Sequence, residues 1–133
     1  MTTLRHAIAI SAPRSAVYAA LANIEQQREW HEGTMEGEIA PGKTVAWKPK
    51  PGLTFGWRIE ELNKDTSIVR TAVEGPGNTV GKTLTITLAD LPDGRTEVSL
   101  ADGEWASDDP HLAYCNTYWG GVLNRLKSYV EKS

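Results

Sequence analysis

Hydrophobic and polar residues alternate along much of this chain in segments of strand length. Residues 4–10 begin the pattern, with Leu4, Ile8 and Ile10 on one predicted face. Further segments with strand-like composition lie between turn sequences such as Pro-Gly, Asn-Lys-Asp-Thr and Pro-Asp-Gly. They cover residues 34–40, 43–48, 53–62, 67–74, 79–90 and 95–105. Short connections favour antiparallel neighbours, so the pattern predicts an antiparallel sheet of seven strands.

Two parts of the chain change to the spacing of a helix. Pro13 suits a first helical turn, and apolar residues then recur at Val17, Ala20, Leu21 and Ile24. A second short helix or turn ends at Trp30. Near the C-terminus, Asp109 is a candidate cap, Pro110 fits the first turn, and helical spacing continues to about Val130. The predicted order is one strand, two short helices, six strands and one long helix.

This order predicts an α+β fold in a single domain spanning residues 1–133. A sheet with one apolar face needs a cover, and the last helix is the long amphipathic element available. With roughly 20 residues it would be ~30 Å long. We therefore expect a curved seven-stranded antiparallel sheet wrapped around the C-terminal helix.

The predicted inward face of the last helix is chemically uneven. It consists of Leu112, Cys115, Asn116, Trp119, Leu123, Leu126 and Val130. A buried amide without partners costs about 1–3 kcal/mol, so Asn116 is expected to face a hydrogen-bonding group, water or a ligand. Gly120 and Gly121 each weaken a helix by about 1 kcal/mol relative to alanine, which favours a bend or a closely approaching strand there.

Aromatic residues of the strands face this mixed part of the helix. Strand parity turns Trp47, Phe55 and Trp57 inward, opposite Trp119. These four side chains could line a chamber of a few hundred Å³, on the order of a small-molecule pocket. The alternative is that they only fill the core.

Composition excludes several classes of function. The chain carries 14 Lys and Arg against 17 Asp and Glu, and no basic window is interleaved with aromatic residues, which argues against nucleic-acid binding. No apolar run approaches the ~20 residues of a membrane span, and the first residues lack the apolar segment of a signal peptide, so a cytoplasmic location is expected. One cysteine and three histidines without ligand spacing predict no metal.

Titratable residues offer a few candidates for chemistry. Asp102 shares the inward parity of Val98 and Leu100, so it is a weak candidate for a general base with a raised pKa; solvation or support of the following turn is the alternative. Arg70 could hold a ligand carboxylate, but it faces solvent if Val69 and Thr71 face inward.

Other residues are candidates for the pocket or its mouth. Cys115 is expected to line the pocket or pack rather than act as a nucleophile, since His111 lies off the inward stripe. Trp30 and His31 follow the short helices, where they would stack on a ligand, close a loop or, for His31, remain on the surface. Tyr118 is expected at the rim, where its ring packs with the hydroxyl in water or the hydroxyl orients a ligand carbonyl.

Five sequence segments then point to a known superfamily. They are I-x-I-S-A-P-x-x-x-V-Y-x-A-L at 8–21, Trp30, P-G-K-T-V-A-W at 41–47, G-W-R-I-E-E-L at 56–62 and Y-C-N-T-Y-W-G-G-V-L-N-R-L-K-S-Y at 114–129. The chain resembles the START-like (SRPBCC) superfamily with its helix-grip fold, in the branch related to the activator of heat-shock-protein-90 ATPase. The resemblance implies a pocket between the long helix and the sheet, no metal and no nucleotide cofactor.

The favoured hypothesis is binding of a small hydrophobic or aromatic ligand in this cavity, without catalysis. The expected ligand-binding residues are Trp30, Trp47, Phe55, Trp57, Cys115, Asn116, Tyr118 and Trp119. One alternative is a polyketide cyclase or aromatase-like enzyme that uses Asp102 to move a proton. A second is a chaperone-regulating protein-interaction domain, which needs an exposed apolar patch. Either a monomer or a homodimer is compatible with the sequence.

Overall fold

The long C-terminal helix lies against one antiparallel sheet, as predicted. The computed structural model describes residues 1–132, and within that range it contains seven strands and three helices. They are β1 (Thr2–Ile10), α1 (Arg14–Ala22), α2 (Ile24–Trp30), β2 (Thr34–Gly37), β3 (Thr44–Lys50), β4 (Leu53–Asn63), β5 (Ser67–Glu74), β6 (Thr83–Asp90), β7 (Thr96–Trp105) and α3 (Leu112–Glu131). The α+β class and the order of elements are confirmed.

The sheet has the strand order β1-β7-β6-β5-β4-β3-β2, with every neighbouring pair antiparallel. Strands β2 to β7 follow one another, whereas β1 pairs with β7 at the far edge. Helices α1 and α2 therefore connect the two opposite edges of the sheet. Their chain leads from β1 to the mouth region around Trp30, next to β2 and β3.

Three predicted boundaries are corrected by the structure. Strand β2 ends at Gly37, and β6 begins at Thr83 because residues 79–82 form a turn in which the Lys82 amide donates to the Thr79 carbonyl at 3.1 Å. Helix α3 begins at Leu112 rather than near Pro110. Asp109 still holds the turn before the helix, since its side chain accepts from the His111 amide at 2.9 Å.

The inward parity predicted for β3, β4 and β6 is confirmed. Their buried side chains are Val45, Trp47, Phe55, Trp57, Ile59, Leu84, Ile86 and Leu88. Alternation gives a clear answer here because the opposite faces carry polar residues such as Arg58 and Glu60, which form an exposed ion pair at 2.9 Å.

Strand β5 faces the other way from the prediction. Ile68, Arg70 and Ala72 point into the core, and Val69 and Thr71 lie on the outer face. The register with β6 explains this, because Ile68 pairs with Ile86 and Arg70 pairs with Leu84, and residues paired across antiparallel strands share a face. The expectation that Arg70 faces solvent is therefore wrong.

The inward face of α3 also differs from the prediction at one important position. Trp119, Val122, Leu123, Leu126 and Val130 are buried, whereas Asn116 is exposed. The buried stripe is centred between Cys115 and Trp119, which turns the Asn116 amide toward water, where it needs no protein partner. The prediction that Asn116 is buried is therefore wrong.

The two glycines of α3 have no strand close to them. A Cβ atom added at Gly120 or at Gly121 would meet nothing within 4 Å, and the helix is continuous from Leu112 to Glu131. The expected close approach of a strand is therefore wrong. Gly121 instead borders a surface cleft of about 170 Å³ beside Trp47 and Tyr118.

Candidate functional site

A row of aromatic rings runs beneath the N-terminal half of α3. Trp30 stacks on His31 with ring centres 4.1 Å apart, His31 contacts Trp47 at 4.9 Å, and Trp47 stacks on Phe55 at 5.3 Å. Tyr118 meets Trp47 and Phe55 edge-on at 6.3 and 6.4 Å. These rings come from α2, β3, β4 and α3, so the fold brings together four of the predicted ligand-binding residues.

His31 is part of this row rather than of the surface. It follows the last turn of α2, its amide donates to the Gln27 carbonyl at 2.9 Å, and the residue is 8% exposed. Burial, together with the positive charges of Arg70 and Arg125, lowers the pKa of His31 to about 3. The alternative that placed His31 on the surface is wrong, and its imidazole is neutral at physiological pH.

His31 makes the stability of the protein sensitive to acid. The unfolded chain takes up a proton on His31 below pH 6.5, whereas the folded chain does so only near pH 3, so stability falls as pH decreases between these values. This group alone is expected to cost about 1.5 kcal/mol between pH 6.5 and about pH 5. In urea unfolding at both pH values, His31→Phe, which keeps a ring on Trp30 and Trp47, should lose less stability than the wild type. An equal loss in the two proteins would contradict this assignment.

A second cluster, which we call the polar core, lies deeper under α3 and consists of Trp57, Arg70, Asp102, Trp105 and Trp119. The Trp119 indole donates to Asp102 Oδ2 at 2.9 Å and packs against Trp57, with ring centres 6.0 Å apart. The Arg70 guanidinium lies over the Trp57 ring, 4.9 Å from its centre. Asp102 is thus turned inward as predicted, next to an arginine that the sequence analysis placed outside.

Burial dominates the electrostatics of the polar core. It raises the pKa of Asp102, against the opposing effects of the Trp119 hydrogen bond, the Trp105 N–H and the charges of Arg70 and Lys82. It lowers the pKa of Arg70 to about 10, partly offset by Asp102. The guanidinium is therefore charged at neutral pH, and the carboxyl group is poised for protonation more readily than an exposed aspartate.

Several buried polar atoms of the polar core have no hydrogen-bond partner among residues 1–132. They are Trp57 Nε1, Arg70 Nε, Asp102 Oδ1 and Trp105 Nε1. Trp105 Nε1 influences the pKa of Asp102 but does not reach it with normal hydrogen-bond geometry. Most buried polar groups in proteins are hydrogen-bonded, so a cluster of four unpaired atoms indicates a place that polar ligand groups or water can occupy.

A small space adjoins the polar core, and a larger one lies farther out. An inner cavity of about 20 Å³, enough for roughly one water molecule, is lined by Phe55, Trp57, Thr79, Asp102, Trp105, Cys115, Tyr118 and Trp119. An outer cleft of about 290 Å³ opens beside it. Phe55, Cys115 and Tyr118 border both spaces and so form the partition between them.

The inner cavity is much smaller than the chamber of a few hundred Å³ that the sequence predicts. The ring contacts of Tyr118, Trp57 and Trp119 fill the space beneath α3. The larger space lies outside this layer, over an apolar floor. Its lining is mainly apolar, with Lys50 and His111 as the polar members, and also includes Pro51, Gly52, Leu53, Phe55, Pro76, Tyr114, Cys115 and Tyr118.

Cys115 has the environment of a lining residue. Burial raises the pKa of its thiol to about 11, and the charges of Asp102 and Asp109 act in the same direction, so the reactive thiolate is disfavoured. His111 occupies the space where a Cβ atom of residue 77 would lie, and residue 77 is a glycine with φ +57°. His111 thereby packs the loop before β6 against the start of α3.

Most of the predicted ligand-binding residues lie around the partition, the inner cavity or the aromatic row. They are Trp30, Trp47, Phe55, Trp57, Cys115, Tyr118 and Trp119. Trp30 forms the far end of the row, where its indole donates to the Ala20 carbonyl at 3.0 Å. Sequence reasoning placed Arg70 on the wrong face of its strand and did not name Thr79 or Trp105 as candidate site residues. Pairing of β5 with the clearly patterned β6 was the signal that could have placed Arg70.

Residues 1–132 were searched for metal-binding clusters and for membrane-spanning helices. No group of three or more His, Cys, Asp or Glu side chains in this range could hold a metal ion. Within the same range, no helix is both long and apolar enough to cross a membrane.

The antiparallel sheet with its long C-terminal helix is the helix-grip architecture, and the aromatic and polar clusters lie at the interface of the two. The profile of one family, described as "Activator of Hsp90 ATPase homolog 1-like protein", matches residues 11–131. The chain therefore belongs to this SRPBCC-type family. A comparison with curated proteins found no match.

Solved structures share the fold at low sequence identity. The Aha1 dimer from Colwellia psychrerythraea has a TM-score of 0.88 and 22% identity, over 98% of this chain and 97% of that one. Protein MLL2253 from Mesorhizobium loti has a TM-score of 0.85 and 16% identity, over 99% and 98%. DynU16, a protein in the dynemicin biosynthetic locus, has a TM-score of 0.81 and 17% identity, over 97% of this chain and 47% of DynU16.

Proposed function

We propose that this protein binds a small hydrophobic or aromatic molecule between α3 and the sheet. The observation that carries the proposal is the shared partition: Phe55, Cys115 and Tyr118 border both the apolar outer cleft and the inner cavity of the polar core. An apolar ligand body in the cleft would contact these side chains. A polar group of the same ligand would be directed toward the unpaired atoms behind them.

The dimensions of the two spaces support this arrangement. The outer cleft of about 290 Å³ lies at the lower limit of typical small-molecule sites, which measure roughly 300–1,000 Å³. Such sites are mainly apolar and carry a few convergent polar groups that fix orientation. Here the apolar part is the cleft, and the convergent groups include Asp102 Oδ1 and Trp57 Nε1.

A bulky side chain introduced at the partition tests the proposal. The probe is 2-naphthalenemethanol, a neutral aromatic alcohol, titrated by isothermal calorimetry. We expect saturable one-to-one binding by the wild type and a loss of at least about 10-fold in affinity for Cys115→Phe, because the new ring occupies the cleft. Asn116→Phe is the matched control, since it adds the same ring one residue later on the exposed side of α3.

Equal effects of the two phenylalanine variants would contradict the proposed site. Circular dichroism and thermal unfolding of both variants establish that each is folded before the affinities are compared. Absence of any saturable heat with the wild-type protein would count against binding of this ligand class.

Asp102 supports a second candidate, an enzyme of the polyketide cyclase or aromatase type. Its carboxyl group is inward, has a raised pKa and keeps one oxygen free of protein partners, as a general acid or base requires. DynU16 shares the fold and lies in a biosynthetic locus. A polyketide-like substrate that is converted would release heat continuously after mixing, whereas a ligand that is only bound gives heat that ends at saturation.

A further inference from the structure

Arg70 stands out as a buried cation that the proposed binding role does not yet use. Its side chain is 6% exposed and lies at the centre of β5, on the inner face of the sheet. Among residues 1–132 its guanidinium contacts the Trp57 ring but donates no hydrogen bond, and its Nε is fully enclosed. A buried charge without hydrogen bonds is costly, so its retention inside the protein calls for a partner.

Asp102 is not a sufficient partner for Arg70. No oxygen of Asp102 lies within 4.0 Å of the guanidinium in the described chain, and the carboxylate instead accepts from Trp119. Asp102 acts on Arg70 only over a longer distance. The amino group of Lys82, 5.0 Å from the centre of the Trp105 ring, also acts on Asp102, so this single carboxylate lies between two cations.

The unpaired atoms of the polar core are mainly donors. Trp57 Nε1, Arg70 Nε and Trp105 Nε1 each present an N–H, whereas Asp102 Oδ1 is the one acceptor in this set. Three donors and one acceptor suit a ligand group that supplies oxygen acceptors. A guanidinium binds carboxylates particularly well, because its N–H groups form a planar fork that matches two oxygens.

We infer that the ligand carries a carboxylate, which Arg70 binds while the apolar body of the ligand occupies the outer cleft. Arg70 lies behind Trp57 and borders neither space directly, so the partition and the Trp57 ring must shift for the carboxylate to reach it. This inference rests on the proposed binding function and specifies its ligand class as small aromatic or apolar acids. His31, a titratable side chain in the neighbouring aromatic row, is packed between Trp30 and Trp47. Lys82 lies beside Trp105, and the exposed Lys50 borders the outer cleft, but Arg70 is the buried cation of the polar core and offers the planar fork that matches a carboxylate.

Two probes with the same ring system test the charge requirement. Calorimetric titration at about pH 7 compares 2-naphthoate with the neutral 2-naphthalenemethanol. We expect the wild type to bind the acid about 10- to 100-fold more tightly than the alcohol, the range of a charge-assisted hydrogen bond. Arg70→Met should remove this preference, so that the acid and the alcohol bind this variant with similar affinity.

Two further variants control for charge and folding. Arg58→Met removes the same positive charge from the exposed outer face of β4, and it should leave the preference for the acid intact. Arg70→Lys keeps the charge but lacks the planar fork, so it should retain only part of the preference. Circular dichroism and thermal unfolding establish that each Arg70 variant is folded before its affinities are compared.

The outcomes separate this inference from the proposed function. If the wild type binds the acid no better than the alcohol, or if the preference survives in Arg70→Met, the inference is overturned while ligand binding stands. If neither probe binds, the proposed function and the inference fail together. A preference that Arg70→Met removes and Arg58→Met keeps supports the inference.

Discussion

Replacing Trp119 by alanine is expected to lower the free energy of unfolding by about 3–5 kcal/mol. The Trp119 side chain is 5% exposed and packs on Trp57, so its removal leaves a large void under α3. It also removes the hydrogen bond to Asp102 Oδ2, after which neither oxygen of this buried carboxylate has a protein partner. Urea-induced unfolding followed by circular dichroism measures the effect.

Trp119→Phe separates the two contributions. Phenylalanine keeps most of the ring packing and loses the indole N–H, so we expect a cost of about 1–3 kcal/mol, the range for an unsatisfied buried acceptor. Tyr114→Ala is the matched control on the same helix, because Tyr114 is 69% exposed and should change stability little. A cost for Trp119→Ala as small as that of Tyr114→Ala would refute the described packing of α3 on the polar core.

The second large effect is expected at Asp102. Asp102→Leu should cost about 3–5 kcal/mol, because it leaves the buried charge of Arg70 without its nearest carboxylate and the Trp119 N–H without an acceptor. Arg70→Met should lower the free energy of unfolding by a smaller amount than Asp102→Leu. Arg70 lowers the pKa of Asp102, so without Arg70 this pKa rises and the carboxyl group can become neutral by taking up a proton.

The double variant tests whether the two side chains are coupled. Adding Arg70→Met to Asp102→Leu should restore about 2 kcal/mol, since it removes the uncompensated charge and leaves only the Trp119 N–H unpaired. Chemical denaturation of the wild type, both single variants and the double variant gives the coupling energy directly. Strictly additive costs would show that Arg70 and Asp102 do not interact and would remove the electrostatic account of the polar core.

The fold could be predicted because its strongest signals are local and agree with one another. In β4, Phe55, Trp57 and Ile59 alternate with polar residues, and a strand with one apolar face admits only one orientation. In β5 both faces carry aliphatic residues, Ile68 and Ala72 on one side and Val69 and Val73 on the other. Alternation within β5 therefore does not show which of its faces is buried, and the pairing with β6 determines the orientation.

The sequence indicates which residues surround the candidate site better than it indicates the shape of the site. A helical wheel that starts from Leu112 rotates the predicted buried stripe by a fraction of a turn from its true position. Asn116 then falls on the predicted inner face, whereas in the structure it is exposed. The same pattern places Trp119 in the buried stripe and Tyr118 beside it, as in the structure, but contains no information on how closely their rings pack. For that reason the prediction gives one large chamber, whereas the structure contains a small inner cavity and a separate outer cleft.

The partition between these two spaces has a kinetic consequence. It includes the ring of Tyr118, a half-buried side chain on the rim of α3, rather than a lid or a second domain. Rotation of one side chain is faster than collective domain motions, which take microseconds to milliseconds. Association of a ligand should therefore proceed at a rate close to that of an ordinary encounter, and differences in affinity between ligands should lie mainly in how long each remains bound.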